Sequence, residues 1–346
     1  MTTKYRDISG IKVRNSSSDL PANANFRGEV FYNSAEGKLK FVKESFTPSG
    51  NIANSTWSSK TNYPATGEFM GWGFGTKDSL FIGGYTSPWA AGFTWDGSSW
   101  ASATGLSTGR YQTGGGFGAD SEDGIIGRGR KGSFTPSNFV NLTEKWNGSS
   151  WSELAETNNS SGVTRGAMGQ GSPSGMLVGS DGSSYSPRAQ AHVEVWNGSS
   201  WSEVAEFSPA TTSTSSGFGS ATSAVQIGDT DDESQSWDGS SWSAITDPSN
   251  QRESNASQGK DAEDGAITGG YSGSSYLGVV EGWNGSSWSE YADMTEARSN
   301  HKHDSNNAAS ETLLVGGYDG GAQVASVEEF ASPSSGSFSI QVVTAS

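Results

Sequence analysis

The sequence predicts an all-β chain, a six-bladed β-propeller preceded by a small N-terminal β module, and three observations predict it. A hexapeptide bracketed by tryptophans recurs five times. A short apolar run ending in glycine recurs six times. The composition, with 48 Gly, 13 Trp, 15 Phe and 10 Tyr but only 32% hydrophobic residues, suits many short strands joined by tight turns around aromatic packing.

The hexapeptide reads Trp95-Asp-Gly-Ser-Ser-Trp100, Trp146-Asn-Gly-Ser-Ser-Trp151, Trp196-Asn-Gly-Ser-Ser-Trp201, Trp237-Asp-Gly-Ser-Ser-Trp242 and Trp283-Asn-Gly-Ser-Ser-Trp288. Its first tryptophans lie 41 to 51 residues apart, the period of a propeller blade when no helical pattern fills the interval. Asn-Gly and Asp-Gly accept the positive φ values of a two-residue type I′ hairpin. That turn sets the two tryptophans diagonally on one face; a four-residue loop sets them directly opposite, again on one face. A three-residue loop would split them and is rejected. Twin indoles on one face suit burial between stacked sheets.

The apolar runs are Leu80–Gly84, Gly124–Gly127, Met176–Gly179, Ala224–Gly228, Ala266–Gly270 and Leu313–Gly317, one more than the hairpins. Phe330 and Phe338 bracket a stretch in phase with the repeat and are read as a worn sixth hairpin, phenylalanine keeping the aromatic role. Glycine-rich stretches such as Gly67–Gly75, Thr113–Gly118 and Arg165–Gly171 precede the runs and fit where strands crowd around a central axis. Four strands per unit follow, and radial repetition of such sheets leaves few open edges. The propeller is assigned to residues 64–346 and the N-terminal module to residues 1–63. In the latter, Gly28–Val42 reads as two strands joined by a polar turn, and Trp57 follows a Ser/Asn/Pro-rich stretch. A partial blade or a cap is the plainer reading of this module.

An apolar run into Gly-Gly-Tyr, then a strand into Trp-Asn-Gly-x-x-Trp, resembles the kelch repeat over about residues 64–346. Gly179-Ser180, Gly228-Asp229 and Gly127-Arg128 depart from it by lacking the second glycine. The N-terminal pattern resembles the small β modules of bacteriophage tail-fibre and virion surface proteins, and the hairpins resemble those of kelch-like propellers encoded by marine bacteriophages. These resemblances imply a virion structural or adhesion protein, made in the host cytoplasm and placed on the head or tail surface. The module would attach to other virion proteins, and the propeller would be displayed, in many copies, toward a host-surface glycan or a neighbouring virion subunit. A purely structural decoration protein and a carbohydrate-active enzyme are the alternatives.

The net charge of −16 disfavours nucleic acid and anionic membrane as partners. No run approaches 18 apolar residues, so no membrane insertion is expected, and the N-terminal residues lack the apolar stretch of a secretory signal. With no cysteine, disulfides and thiolate chemistry are excluded.

No cofactor, metal or catalytic residue is assigned. The hairpin acid does not read as a sialidase-type Asp-box, because other copies carry Asn at that site, and a general acid would not tolerate the exchange. The twin tryptophans are read as packing, with sugar stacking as the alternative. His301 and His303 have strand spacing but no third ligand, and are read as surface histidines. Arg110, Arg252 and Arg298 each fall ten residues after a hairpin's second tryptophan, and Arg165 falls fourteen after. These four are the candidate ligand-binding residues, able to hold an anionic sugar at one rim; a repeated structural bond is the alternative. Residues 119–140 and 180–191 are read as the longest surface insertions. The Asn-Gly-Ser triplets at Asn147 and Asn284 are explained by the turn and expected to be unmodified.

Overall fold

The computed structural model describes residues 4–8, 11–19, 30–45, 56–66, 70–73, 78–83, 91–110, 116–131, 138–158, 166–179, 192–208, 216–227, 233–303, 311–331 and 337–342. All regular structure among them is strand, apart from a single residue of helical turn. Two compact units result: Met1–Gly50 with Pro333–Ser346, and Asn51–Ser332.

The larger unit contains six four-stranded antiparallel sheets, here called blades. Blade 1 runs through Met70–Gly73, Ser79–Ile82, Gly92–Trp95 and Trp100–Ala103; blade 2 through Gly116–Asp120, Asp123–Gly127, Thr143–Trp146 and Trp151–Glu153. Blade 3 comprises Gly166–Met168, Gly175–Val178, Val193–Trp196 and Trp201–Glu203; blade 4 comprises Ser216–Ser220, Ser223–Ile227, Gln235–Trp237 and Trp242–Ala244. Blade 5 comprises Ala256–Asp261, Asp264–Thr268, Val280–Trp283 and Trp288–Glu290. Blade 6 takes Lys302–His303, Glu311–Val315 and Val327–Ala331 from the C-terminal side and borrows its fourth strand, Thr56–Lys60, from the N-terminal side. Each blade's first strand packs against the first strand of the next, and the sixth against the first, so the ring is closed.

Each apolar run is a second strand, buried because it has a blade on either face. The first strands are built of small residues because large side chains intrude on them from next door. A Cβ on Gly217 would stand 2.1 Å from the Met168 methyl, and one on Gly259 2.4 Å from the ring of Phe218, each a residue of the preceding blade. Glycine is the only residue that fits there.

The hairpins have a four-residue loop, with Trp146 directly opposite Trp151 and the other four pairs in the same register. The two-residue type I′ expectation is thereby corrected. Only the glycine of each loop takes positive φ, from 87° to 95°, because the preceding side chain supplies the turn instead. Asn147 Oδ1 accepts the N–H groups of Ser149 (3.0 Å) and Ser150 (2.9 Å), and Asp96 Oδ1 accepts those of Ser98 and Ser99, both at 2.8 Å.

The worn sixth hairpin is also corrected. Phe330 pairs across the sheet with Trp57, not with Phe338. Phe338 lies in Ser337–Val342, opposite Glu44 of Lys38–Ser45 in the smaller unit. The expected boundary at residue 63 moves for the same reason: Trp57 belongs to the propeller. Blade 6 would otherwise leave a row of unpaired backbone groups at its edge, and the early strand covers them.

The smaller unit is one five-stranded sheet ordered Lys4–Ile8, Ile11–Ser16, Val30–Asn33, Lys38–Ser45 and Ser337–Val342. The second and third of these pair in parallel, and the third and fourth are the expected hairpin. The Lys40 ammonium is buried there between Asp19 and Glu36, 2.7 Å from an oxygen of each.

Candidate functional site

The twin indoles tie the ring together. The first tryptophan of each pair is almost wholly buried, and the pairs pack on the second strand of the preceding blade. Trp146 and Trp151 meet Leu80 and Ile82, and Trp283 and Trp288 meet Val225 and Ile227. Trp95 and Trp100 meet Leu313 and Val315 of blade 6. The first indole N–H donates within its own blade, as from Trp146 to Ser121 O at 2.8 Å. The second donates to the blade before: Trp100 to Thr61 O (2.9 Å), Trp151 to Thr104 O (2.8 Å), Trp242 to Ala205 O (2.9 Å), and Trp288 to Thr246 O (2.7 Å). Trp201 uses Thr143 Oγ1 instead. The first rings are buried and the polar tips are committed, which supports the packing reading; of the second rings, Trp201 is buried and Trp100, Trp151, Trp242 and Trp288 are half-buried.

Arg110, Arg252 and Arg298 lie in the stretches that lead from one blade's fourth strand to the next blade's first. Arg110, Arg252 and Arg298 are buried. Each forms an ion pair with a glutamate two residues before the first aromatic of the following hairpin position: Arg110 with Glu144, Arg252 with Glu281, and Arg298 with Glu328 at 2.7 Å. Other donors reach main-chain carbonyls, as from Arg252 Nη1 to Val279 O at 2.7 Å, and Arg298 Nη1 also meets Glu296 Oε2 at 3.3 Å. Burial pulls the three guanidinium pKa values down from their ordinary range, and the facing carboxylate opposes the shift. The anion-binding expectation for these three is corrected: their charge is neutralised within the fold and out of reach of solvent. Arg165 lies outside the described residues.

The glutamates carry a second regular bond that sequence reasoning missed. The residue seven places after each second tryptophan gives its backbone N–H to the next blade's carboxylate: Ser107 to Glu144 (2.9 Å), Asn158 to Glu194 (2.8 Å), Ser249 to Glu281 (2.8 Å). Thr295 does the same to Glu328 at 2.8 Å, and Gln235 takes the place in blade 4, accepting from Ser208 at 3.5 Å. The signal was present as Glu-x-Trp in Glu144-Lys-Trp146, Glu194-Val-Trp196 and Glu281-Gly-Trp283.

Blade 2 contains a second missed residue. Arg128 and Gly129, with φ of 59° and 118°, occupy the backbone positions that Gly269 and Gly270, at 54° and 106°, occupy in blade 5. The glycine pair was therefore displaced by one residue in that blade, and Arg128 fills its first position. Its guanidinium reaches blade 3, donating to Glu194 Oε1 at 2.5 Å and Gly179 O at 3.1 Å.

His301 and His303 are buried rather than on the surface. Both Nε2 atoms face Thr268 Oγ1, at 2.9 Å and 2.6 Å, and His303 Nδ1 faces Thr312 Oγ1 at 2.7 Å. Burial lowers both pKa values, that of His303 to about 3, so the rings are neutral. Among the described residues no group of three His, Cys, Asp or Glu is placed to hold a metal. Residues 119–127 are mostly the first two strands of blade 2 and the turn between them, rather than an insertion. Residues 132–137 and 180–191 lie outside the described residues.

Six four-stranded sheets in a closed ring, with the last completed by an early strand, make this chain an all-β, six-bladed β-propeller. The structure of YjhT, also a propeller, is similar to it with a TM-score of 0.61 at 14% identity, covering 82% of this chain and 99% of that one. At that identity the likeness is one of fold. No protein-family model and no curated protein matches the chain.

Proposed function

We propose that this protein is a non-enzymatic virion component of a bacteriophage, whose propeller binds a host-surface glycan or a neighbouring virion protein. The observation that carries the reading is the division of the chain. Both chain ends share one small sheet, while residues 51–332 make a closed ring that presents loops. Such a division suits one unit for attachment and one for display. The buried arginine–glutamate pairs serve the scaffold, so a ligand would be met by other groups. The sequence resemblance of Gly28–Val42 to phage β modules supports the placement, although Trp57 belongs to the propeller and not to that module. Many weak sites on one particle would add through effective concentration.

The test is to screen the purified full chain on an array of bacterial surface glycans, with a reducing-sugar assay alongside and an antiserum applied to phage particles. Glycan binding without turnover, and labelled particles, are the expected results. Release of reducing ends would replace the reading with a carbohydrate-active enzyme. Labelled particles with no glycan bound would favour a decoration protein.

A further inference from the structure

We propose that Tyr271, Tyr276 and Tyr318 form a platform for an uncharged pyranose ring, spanning the corresponding loops of blades 5 and 6. This deepens the glycan-binding reading above and rests on it. The two loops, residues 269–279 and 316–326, are built alike. Each opens with two glycines at positive φ followed by tyrosine. Each then closes a tight turn, Ser272 N–H to Ser275 O at 3.0 Å and Asp319 N–H to Ala322 O at 3.2 Å. A Cβ on Gly270 or Gly317 would stand 2.8 Å from Glu253 O or 2.6 Å from Ser299 O. This close approach lets Tyr271 and Tyr318 bridge to Glu253 and Ser299, so both tyrosines sit on pinned backbone.

The rings join into one aromatic surface. Tyr271 and Tyr276 have centroids 5.0 Å apart, and Tyr276 and Tyr318 5.5 Å apart. Tyr276 crosses from blade 5 to lie over Gly320 of blade 6, where a Cβ would be 2.8 Å from its ring. All three side chains are half-buried. The outer two hydroxyls are tied down, Tyr271 to Gly273 O at 3.0 Å and Tyr318 to Gly320 O at 3.3 Å. The Tyr276 hydroxyl, between them, has no hydrogen-bond partner among the described residues.

A pyranose has an apolar C–H face and a rim of hydroxyls. Rings with few free rotamers match the face at small entropic cost, and a free phenol at the centre meets the rim. The surroundings select against other ligands. Asp319 is exposed beside the rings and Glu253 borders them in a chain of net charge −16, which disfavours anionic sugars and phosphates. The rings pack against one another and do not surround a space, as a quaternary ammonium would require.

The test is saturation-transfer NMR of the full chain with neutral gluco-, manno- and galacto-oligosaccharides, with sialyllactose and choline as charged probes. Tyr276→Ala should weaken binding of the neutral oligosaccharide at least tenfold. Tyr276→Phe, which keeps the packing and so guards against misfolding, should weaken it less but measurably. A neutral glycan bound equally by wild type and Tyr276→Ala overturns the platform and leaves the adhesion reading standing. Preference for sialyllactose or choline overturns the ligand class. Failure of the wild type to bind any glycan overturns the platform together with the glycan-binding half of the reading above.

Discussion

Trp57 stands opposite Phe330 in blade 6 with ring centroids 5.0 Å apart and planes inclined by 45°. The five tryptophan pairs have centroids 4.9–5.4 Å apart and inclinations of 40–48°. Trp57 also donates its indole N–H to Ala292 O at 2.8 Å, the preceding-blade bond that the second tryptophans make elsewhere. The pair is thus the sixth member of the series, assembled from residues at opposite ends of the propeller's sequence.

Trp57 should therefore matter to the whole ring. Trp57→Ala removes a half-buried indole and its cross-blade bond, and should cost about 3 kcal/mol. Trp57→Phe should cost much less. Urea unfolding followed by tryptophan fluorescence checks both, and a neutral Trp57→Ala would contradict closure by this strand.

The buried ion pairs should be costly to break and cheap to replace. Arg298→Ala leaves the Glu328 carboxylate buried without its cation and should destabilise by about 3–5 kcal/mol. Replacing both partners together, Arg298→Met with Glu328→Leu, should cost far less than the two single changes summed. Gln235, uncharged at the matching place in blade 4, shows that an ion pair is not obligatory there. A double-mutant cycle by chemical denaturation measures the coupling.

At the hairpins, Asn147→Asp should change stability by no more than about 0.5 kcal/mol, since Asp96 and Asp238 make the same turn bonds. Asn147→Ala should cost about 1 kcal/mol. The two serine N–H bonds and serine hydroxyls hold the Asp238 carboxyl at a pKa of about 2. Its folded pKa lies below the ordinary 3.8, so its contribution is present above that value and is lost as pH falls through about 2. NMR titration of the Asp238 carboxyl reads the value directly.

The two histidines make a different pH prediction. Their folded pKa values are depressed, so below about pH 6.5 the unfolded chain takes up protons that the folded chain does not. Stability should fall on acidification from 6.5 toward 5, by up to about 1.4 kcal/mol per pH unit for each histidine. Arg298 and Lys302, the cations near them, strengthen the effect. His303→Gln should flatten the slope of unfolding free energy between pH 5 and 6.5, and an unchanged slope would contradict a buried neutral ring.

Much of this architecture was legible along the chain because its cause is local and repeated. The Trp-Asn-Gly-Ser-Ser-Trp turn is closed by the side chain of its own Asn or Asp, so five copies announce five hairpins. The apolar runs mark every second strand, since a strand with a blade on each face has no polar side to alternate. The arginine spacing was visible too, but its meaning was not. Arg110, Arg252 and Arg298 meet glutamates 29 to 34 residues away, and spacing alone carries no information on whether a guanidinium faces solvent or a buried carboxylate.

Repetition of turn chemistry and apolar runs settled the fold class, the number of blades and the place of the five tryptophan hairpins. Folding settled what depends on chain-distant encounters: Trp57 completing blade 6 in place of Phe338, Arg128 entering blade 3, His301 and His303 meeting over Thr268, and three tyrosines from two loops sharing one surface. The reason is that a turn is satisfied by atoms within a few residues, whereas an open sheet edge or a buried charge is satisfied by whatever partner the closed ring brings near.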